Sequence, residues 1–143
     1  MNPYFYLLKS FTYGWKQESC KLLRRLLTKK NSYLYETGWI HSALSGRPYD
    51  HEYDQIPWMN YQILSFLKER LKKDFDLFEF GSGFSTFFYA KKCKSVFSVE
   101  HNDDWYKQVS STLPENASII YKNEDVDGEY CRVIRQSNLF YDV

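Results

Sequence analysis

Three cysteines, Cys20, Cys93 and Cys131, are an odd number and lie far apart. With no C-x-x-C pair, neither a disulfide framework nor a zinc site is supported. That usage favours a reducing compartment. Long apolar runs are also lacking. None approaches the roughly 20 residues of a membrane-spanning helix, so no transmembrane segment is expected. Met1–Leu8 is too short and too rich in polar aromatics for a signal peptide, and a cytoplasmic location is the default expectation. A dominant charge of one sign is missing too. The formal net charge of the 143 residues is +1, so the whole chain carries no nucleic-acid footprint. No Ser-His-Asp or Cys-His arrangement points to a hydrolase. His41, His51, Glu52 and Asp54 fall close together, but their spacing matches no ligand pattern, and no metal is expected.

Aromatic residues, by contrast, are abundant at 20%, so large rings must do much of the packing. The length bounds the chain to one domain with a modest core, preceded by an extension over 1–55. Charge is distributed unevenly. Lys9, Lys16, Lys21, Arg24, Arg25, Lys29 and Lys30 face Glu18 alone within the first 31 residues. Leu22, Leu23, Leu26 and Leu27 share one helical face there. Such a basic amphipathic segment either touches a membrane surface or partner, or packs on the domain with its basic side solvated. Gly38 to Asp54 reads as a loop, with Gly46 and Pro48 as turn residues, and is a candidate lid. Pro57 opens a predicted helix to Arg70 or Lys73. Met59, Ile63, Leu67 and Leu71 form its core-facing stripe.

The organising stretch is Phe75 to Glu100. Phe75, Leu77, Phe78 and Phe80 make a nearly continuous apolar run, as buried parallel strands do. Gly81 and Gly83 punctuate it. Ser85 and Thr86 are predicted N-caps of the following helix, whose end is loaded with Lys91, Lys92 and Lys94. Val96, Phe97 and Val99 form a second strand that stops at Glu100. The pattern is a βαβ unit, and ligands of such sheets bind beyond the carboxyl ends of the strands. Gly81, Ser82, Gly83, Ser85, Thr86 and Glu100 all fall at that end. His101 and Asn102 lead into a helix with Asp103 and Asp104 in its first turn. Ala117–Tyr121 reads as a third strand, Tyr130–Gln136 as a short helix, and Phe140–Val143 as the start of a fourth strand.

The glycines allow close backbone approach to a ligand. A carboxylate closing the second strand is placed to accept both ribose hydroxyls. An adenosine-containing ligand follows, in one of two classes. The acid Glu79, two residues before Gly81, would repel a pyrophosphate but welcome a sulfonium and an ammonium. Thr86 also stands where a dinucleotide fingerprint has its third glycine. S-adenosylmethionine is the better fit.

Here the residues resemble a family. E-F-G-S-G-F-S-T at 79–86, followed by S-V-E-H at 98–101, is similar to the first two motifs of class I S-adenosylmethionine-dependent methyltransferases. P-W-M-N-Y at 57–61 and V-E-H-N-D-D-W-Y at 99–106 resemble a bacterial group within that class. The likeness runs from about residue 56 to 143. It implies a Rossmann-like parallel sheet, a methyl-transfer reaction with an unidentified acceptor, and S-adenosylmethionine as the cofactor. It implies that His101 or Asn102 lines the adenine and that Asp125 accepts from its amino group. Trp58 and Tyr61 become pocket walls, or merely core aromatics.

The resembling fold has seven strands ordered 3-2-1-4-5-7-6, of which this sequence supplies three and the opening of a fourth. The expectation is the cofactor-binding half of a methyltransferase with no assignable catalytic residue. Such a chain is expected to be marginally stable and inactive alone, either truncated or completed by a second copy or partner subunit. Two other readings stay open. One is an NAD(P)-binding oxidoreductase fragment, the other a non-catalytic binding protein on the same architecture.

Overall fold

The computed structural model of the chain describes residues 17–143 except 124, 126, 127 and 138. Part of the expected N-terminal extension, and Glu124 and Asp127 of the acidic loop, lie outside the described residues. The chain divides between Asp54 and Gln55 into two compact units.

The first unit contains α1 (Gln17–Thr28), α2 (Tyr33–Glu36) and α3 (Trp39–Ser45). In α1, Leu23, Leu26 and Leu27 are half-buried while Lys21, Arg24 and Arg25 are exposed. Ser32 closes the turn between α1 and α2. Its hydroxyl donates to Leu26 O at 2.6 Å and accepts from the Tyr35 N–H that it caps. Helix α3 corrects the expectation of a loop from Gly38 to Asp54. Trp39, Ile40, Ala43 and Leu44 repeat the i, i+1, i+4, i+5 spacing of the α1 leucines. Gly38 and Gly46 bound this helix as its caps and do not interrupt it.

The second unit runs α4 (Tyr61–Arg70), β1 (Asp76–Phe80), α5 (Phe84–Lys92), β2 (Ser95–Glu100), α6 (Asp103–Ser110), β3 (Ala117–Tyr121) and α7 (Glu129–Gln136). The three strands form one all-parallel sheet in the order β1-β2-β3. Their positions follow the apolar runs closely. Register pairs Leu77 with Val96 and Val96 with Ala117, which places all three on one face. There Leu77 and Val96 pack with Ala90 and Cys93 of the α5 segment. On the other face Phe78 and Val99 pack with Val133 of α7. Leu77, Val96 and Val99 are at most 2% exposed, so each contributes roughly 1.5–3 kcal/mol by burial. Helices thus cover both faces, as an all-parallel sheet requires.

Helix α4 begins at Tyr61 and not at Pro57. Asn60 supplies a stronger start signal, because its Oδ1 accepts from the Ile63 N–H at 2.9 Å. Residues 57–59 form a turn closed by Met59 N–H on Pro57 O. The stripe also shifts. Leu64 is the buried residue, packed with Ile56 and Phe88, whereas Ile63 is 48% exposed. Tyr61 joins that cluster as a core aromatic.

At its end the chain runs beside the outer edge of β1. Asp142 N–H donates to Asp76 O at 2.8 Å, and Phe78 N–H donates to Val143 O at 2.9 Å. Asp142 also accepts from Asp76 N–H through its carboxylate. The segment expected to begin a fourth strand therefore lies next to β1, although it forms no regular strand.

Candidate functional site

The loop between β1 and α5 is pinned from several sides. Gly81 N–H donates to Val99 O at 2.8 Å, tying the loop to the end of β2. Gly81 has φ +84°, and a side chain there would point into open space. Gly83 has φ +142°, and a Cβ at that position would stand 3.1 Å from the Trp105 ring. The backbone conformation therefore favours glycine, and any side chain there would also push the Trp105 ring aside by a few tenths of an ångström. The Trp105 indole N–H donates to Ser82 O at 2.8 Å, so the ring braces the loop by packing and by a hydrogen bond.

Glu100 ends β2 and is 3% exposed. Its Oε2 accepts from the Ser82 hydroxyl at 2.9 Å. Its Oε1 accepts from the N–H groups of His101 and Asn102, both at 2.9 Å. The His101 Nδ1 stands 3.4 Å from the same oxygen, and the His101 ring meets Tyr130 edge-on at 5.8 Å. Asn102 caps α6, its Oδ1 accepting from Trp105 N–H at 2.9 Å. One short segment thus positions the acid, the cap and the bracing indole together.

Beneath the loop lies a second polar cluster around Glu79. Its side chain shares a face of the sheet with Ser98, the residue paired with it in register. Glu79 Oε2 accepts from Thr86 Oγ1 at 2.7 Å and from Ser98 Oγ at 3.0 Å. Oε1 accepts from the Ser85 hydroxyl in a short hydrogen bond. Thr86 Oγ1 in turn accepts from Gly83 N–H at 2.9 Å. Ser85 and Thr86 are therefore not N-caps. Gly83 holds that position, and the two hydroxyls sit inside the first turn of α5, aimed at a carboxylate supplied by the sheet. Thr86 and Ser98 are fully buried. Burial pushes the Glu79 carboxyl above its usual range. The three hydroxyls pull the other way, and the nearby Glu100 charge adds to the rise. The Tyr89 phenol is pushed up to about 12, first by burial and then by the Glu79 charge.

Glu79, Gly81, Ser82, Gly83, Ser85, Thr86, Glu100, His101 and Asn102 are thus gathered at the carboxyl ends of β1 and β2. Asp125 and Trp58 stand apart from that network. The Asp125 carboxylate accepts from Glu129 N–H at 2.9 Å and Tyr130 N–H at 3.2 Å, capping the start of α7. With Tyr121, Lys122, Asn123 and Glu129 it lines a cavity of about 310 Å³ at the carboxyl end of β3. Trp58 is 77% exposed. A larger cavity, about 470 Å³, opens at the opposite end of the strands between Ser95, Asn116 and Phe140. It offers none of the gathered residues. Trp105 is the residue that sequence reasoning left out of the site. The available signal was an aromatic in the first turn after an acid-terminated strand, within reach of a glycine loop.

In the first unit the carboxylates of Asp50, Glu52 and Asp54 come within 4.8 Å of one another. Asp50 Oδ1 accepts from the Glu52 and Asp54 N–H groups, both at 3.0 Å, which explains the cluster as a turn. His41 stacks on Tyr53 with ring centroids 4.0 Å apart.

No family model matches the chain, and the search of curated proteins found no match. Among the described residues no helix is long and apolar enough to cross a membrane.

Proposed function

We propose that residues 55–143 form a Rossmann-like S-adenosylmethionine-binding unit of the class I methyltransferase type. The observation that carries this reading is the bond between Glu100 and Ser82. It joins the acid closing β2 to the glycine loop following β1, at the end of a parallel sheet where ligands bind. The side of Gly81 that a Cβ would fill is open, so the backbone there is accessible to a ligand. These features fit the adenosine half of the cofactor. Glu100 would take a ribose hydroxyl on Oε2 in exchange for the Ser82 hydroxyl, its Oε1 staying on the His101 and Asn102 N–H groups, and the Gly81–Gly83 backbone would approach the ligand closely. Glu79 serves the other half from beneath. Its oxygens are occupied by hydroxyls, so it acts as a negative charge under the loop, which favours a cationic ligand over a pyrophosphate. When bound, S-adenosylmethionine supplies an electrophilic methyl group on its sulfonium. The described residues hold and orient the ligand, and the methyl acceptor is unassigned.

Calorimetric titration with S-adenosylmethionine, S-adenosylhomocysteine and NAD tests the reading. Binding of the first two and not NAD is expected. Glu100→Ala removes charge-assisted bonds worth ~1.5–3 kcal/mol each before water compensates. A fall in S-adenosylhomocysteine affinity of about 10–100-fold is expected. Preference for NAD, or unchanged affinity in a folded Glu100→Ala variant, overturns it.

A further inference from the structure

Helix α1 presents a charged face that the proposed cofactor site does not use. Lys21, Arg24 and Arg25 are exposed along it, and Lys29 and Lys30 continue the exposed cationic surface into the following turn. Among the described residues none of these five cations forms a salt bridge with a carboxylate. The leucines take the opposite arc. Leu23, Leu26 and Leu27 are half-buried, while Leu22, on the border between the arcs and one turn before Leu26 and Arg25, is 59% exposed. A helix with cations on one side and an exposed leucine at their margin is suited to an interface between water and hydrocarbon.

The surrounding sequence has the same character. The 16 residues before α1 include Tyr4, Phe5, Tyr6, Phe11, Tyr13 and Trp15, with Lys9 and Lys16 and no acid. Tyrosine and tryptophan are favoured at lipid headgroup depth, where an apolar body and a polar tip are both accommodated. Phosphate-rich nucleic acid would also attract the cations. It does not account for an aromatic-rich segment together with a leucine exposed beside them.

We propose that this basic face, with Leu22 at its margin, docks the protein on the surface of an anionic phospholipid bilayer. The half-buried leucines keep α1 attached to its own unit. Docking is therefore electrostatic, with shallow apolar contact, and does not insert the helix across the membrane. It needs no ligand at the glycine loop, so the two proposals stand or fall separately.

The test is co-sedimentation of the full chain with vesicles of phosphatidylcholine alone or with 30% phosphatidylserine, at low and high salt. Each Lys or Arg near an anionic surface strengthens partition several-fold. Reversing three of them (Lys21→Glu, Arg24→Glu, Arg25→Glu) should weaken partition by more than about 100-fold, the loss expected from neutralising them alone. High salt should weaken it in the unaltered chain, because screening shortens the reach of the surface potential. Should the reversed variant lose helical signal, Lys29→Gln with Lys30→Gln decides, with a loss on the order of 10-fold expected. Equal partition on the two vesicle types, insensitivity to salt, or retained partition in both variants overturns the proposal. So does tight binding of a single-stranded RNA by a chain that ignores both vesicles.

Discussion

Removing the Glu79 carboxylate tests the polar cluster beneath the glycine loop most directly. In Glu79→Ala, Thr86 and Ser98 each lose a hydroxyl acceptor at a fully buried position, bonds of 2.7 and 3.0 Å in the native protein. A buried donor left without a partner costs about 1–3 kcal/mol, so the two together cost roughly 2–6 kcal/mol. Loss of the desolvated charge offsets part of this, because Glu79 is held above its ordinary pKa chiefly by burial. A net destabilisation of about 2–4 kcal/mol is expected. Urea unfolding followed by far-ultraviolet circular dichroism measures it. Glu79→Gln retains one acceptor oxygen and sheds the charge, so it should lose less, within about 1 kcal/mol of wild type. The two proteins should also differ in pH dependence. A carboxyl whose pKa is raised in the fold binds its proton more tightly folded than unfolded. Its contribution therefore makes stability fall as pH rises from the ordinary glutamate range through the raised folded pKa. Over that window wild type should lose ground to Glu79→Gln. Unfolding curves at pH 4.5, 6 and 8 follow the difference. A Glu79→Ala variant within about 0.5 kcal/mol of wild type, or a wild-type-to-Gln difference flat across those pH values, refutes the reasoning.

Two other substitutions probe the neighbouring loops. Gly83→Ala forces an L side chain to φ +142° and 3.1 Å from the Trp105 ring. Urea unfolding should show a loss of about 1–3 kcal/mol, with ligand binding lost as the loop shifts. Asp125→Ala removes the acceptor for two N–H groups at the start of α7 and should cost about 1 kcal/mol. S-adenosylhomocysteine affinity should stay near wild type, since Asp125 acts as a cap.

The strands were legible because each carries its signal locally. The run Leu77-Phe78, the pair Val96-Phe97 and Ile119-Ile120 are buried or half-buried where apolar patterning put them. Glu100 was legible as the acid closing β2 for the same reason. The misread features depend on competition or on partners distant in sequence. Proline at 57 is a valid first helical residue, but Asn60 brings an amide oxygen that accepts from the orphan Ile63 N–H, and the later signal won. Ser85 and Thr86 look like caps locally. Their acceptor, Glu79, is six and seven residues earlier and reaches them only through the strand-turn-helix geometry. Trp105 could be tied to Ser82 only once α6 was placed, since 23 residues separate them. The α3 helix was readable from its apolar spacing, and its bounding glycines concealed it.

The contacts of Asp76 imply an order of assembly. Its carboxylate bonds Ser95 across a sequence separation of 19, whereas its backbone N–H bonds the Asp142 carboxylate across 66. Closing the longer loop costs about 1 kcal/mol more chain entropy. The β1–α5–β2 crossover unit can therefore form while the chain around Asp142 is still searching. The outer edge of β1 is then sealed late in folding and released early in unfolding. Amide hydrogens on that edge, such as Phe78 N–H, should exchange among the fastest in the sheet, while Gly81 N–H on the inner edge should exchange with the core, an order that native-state hydrogen exchange would check.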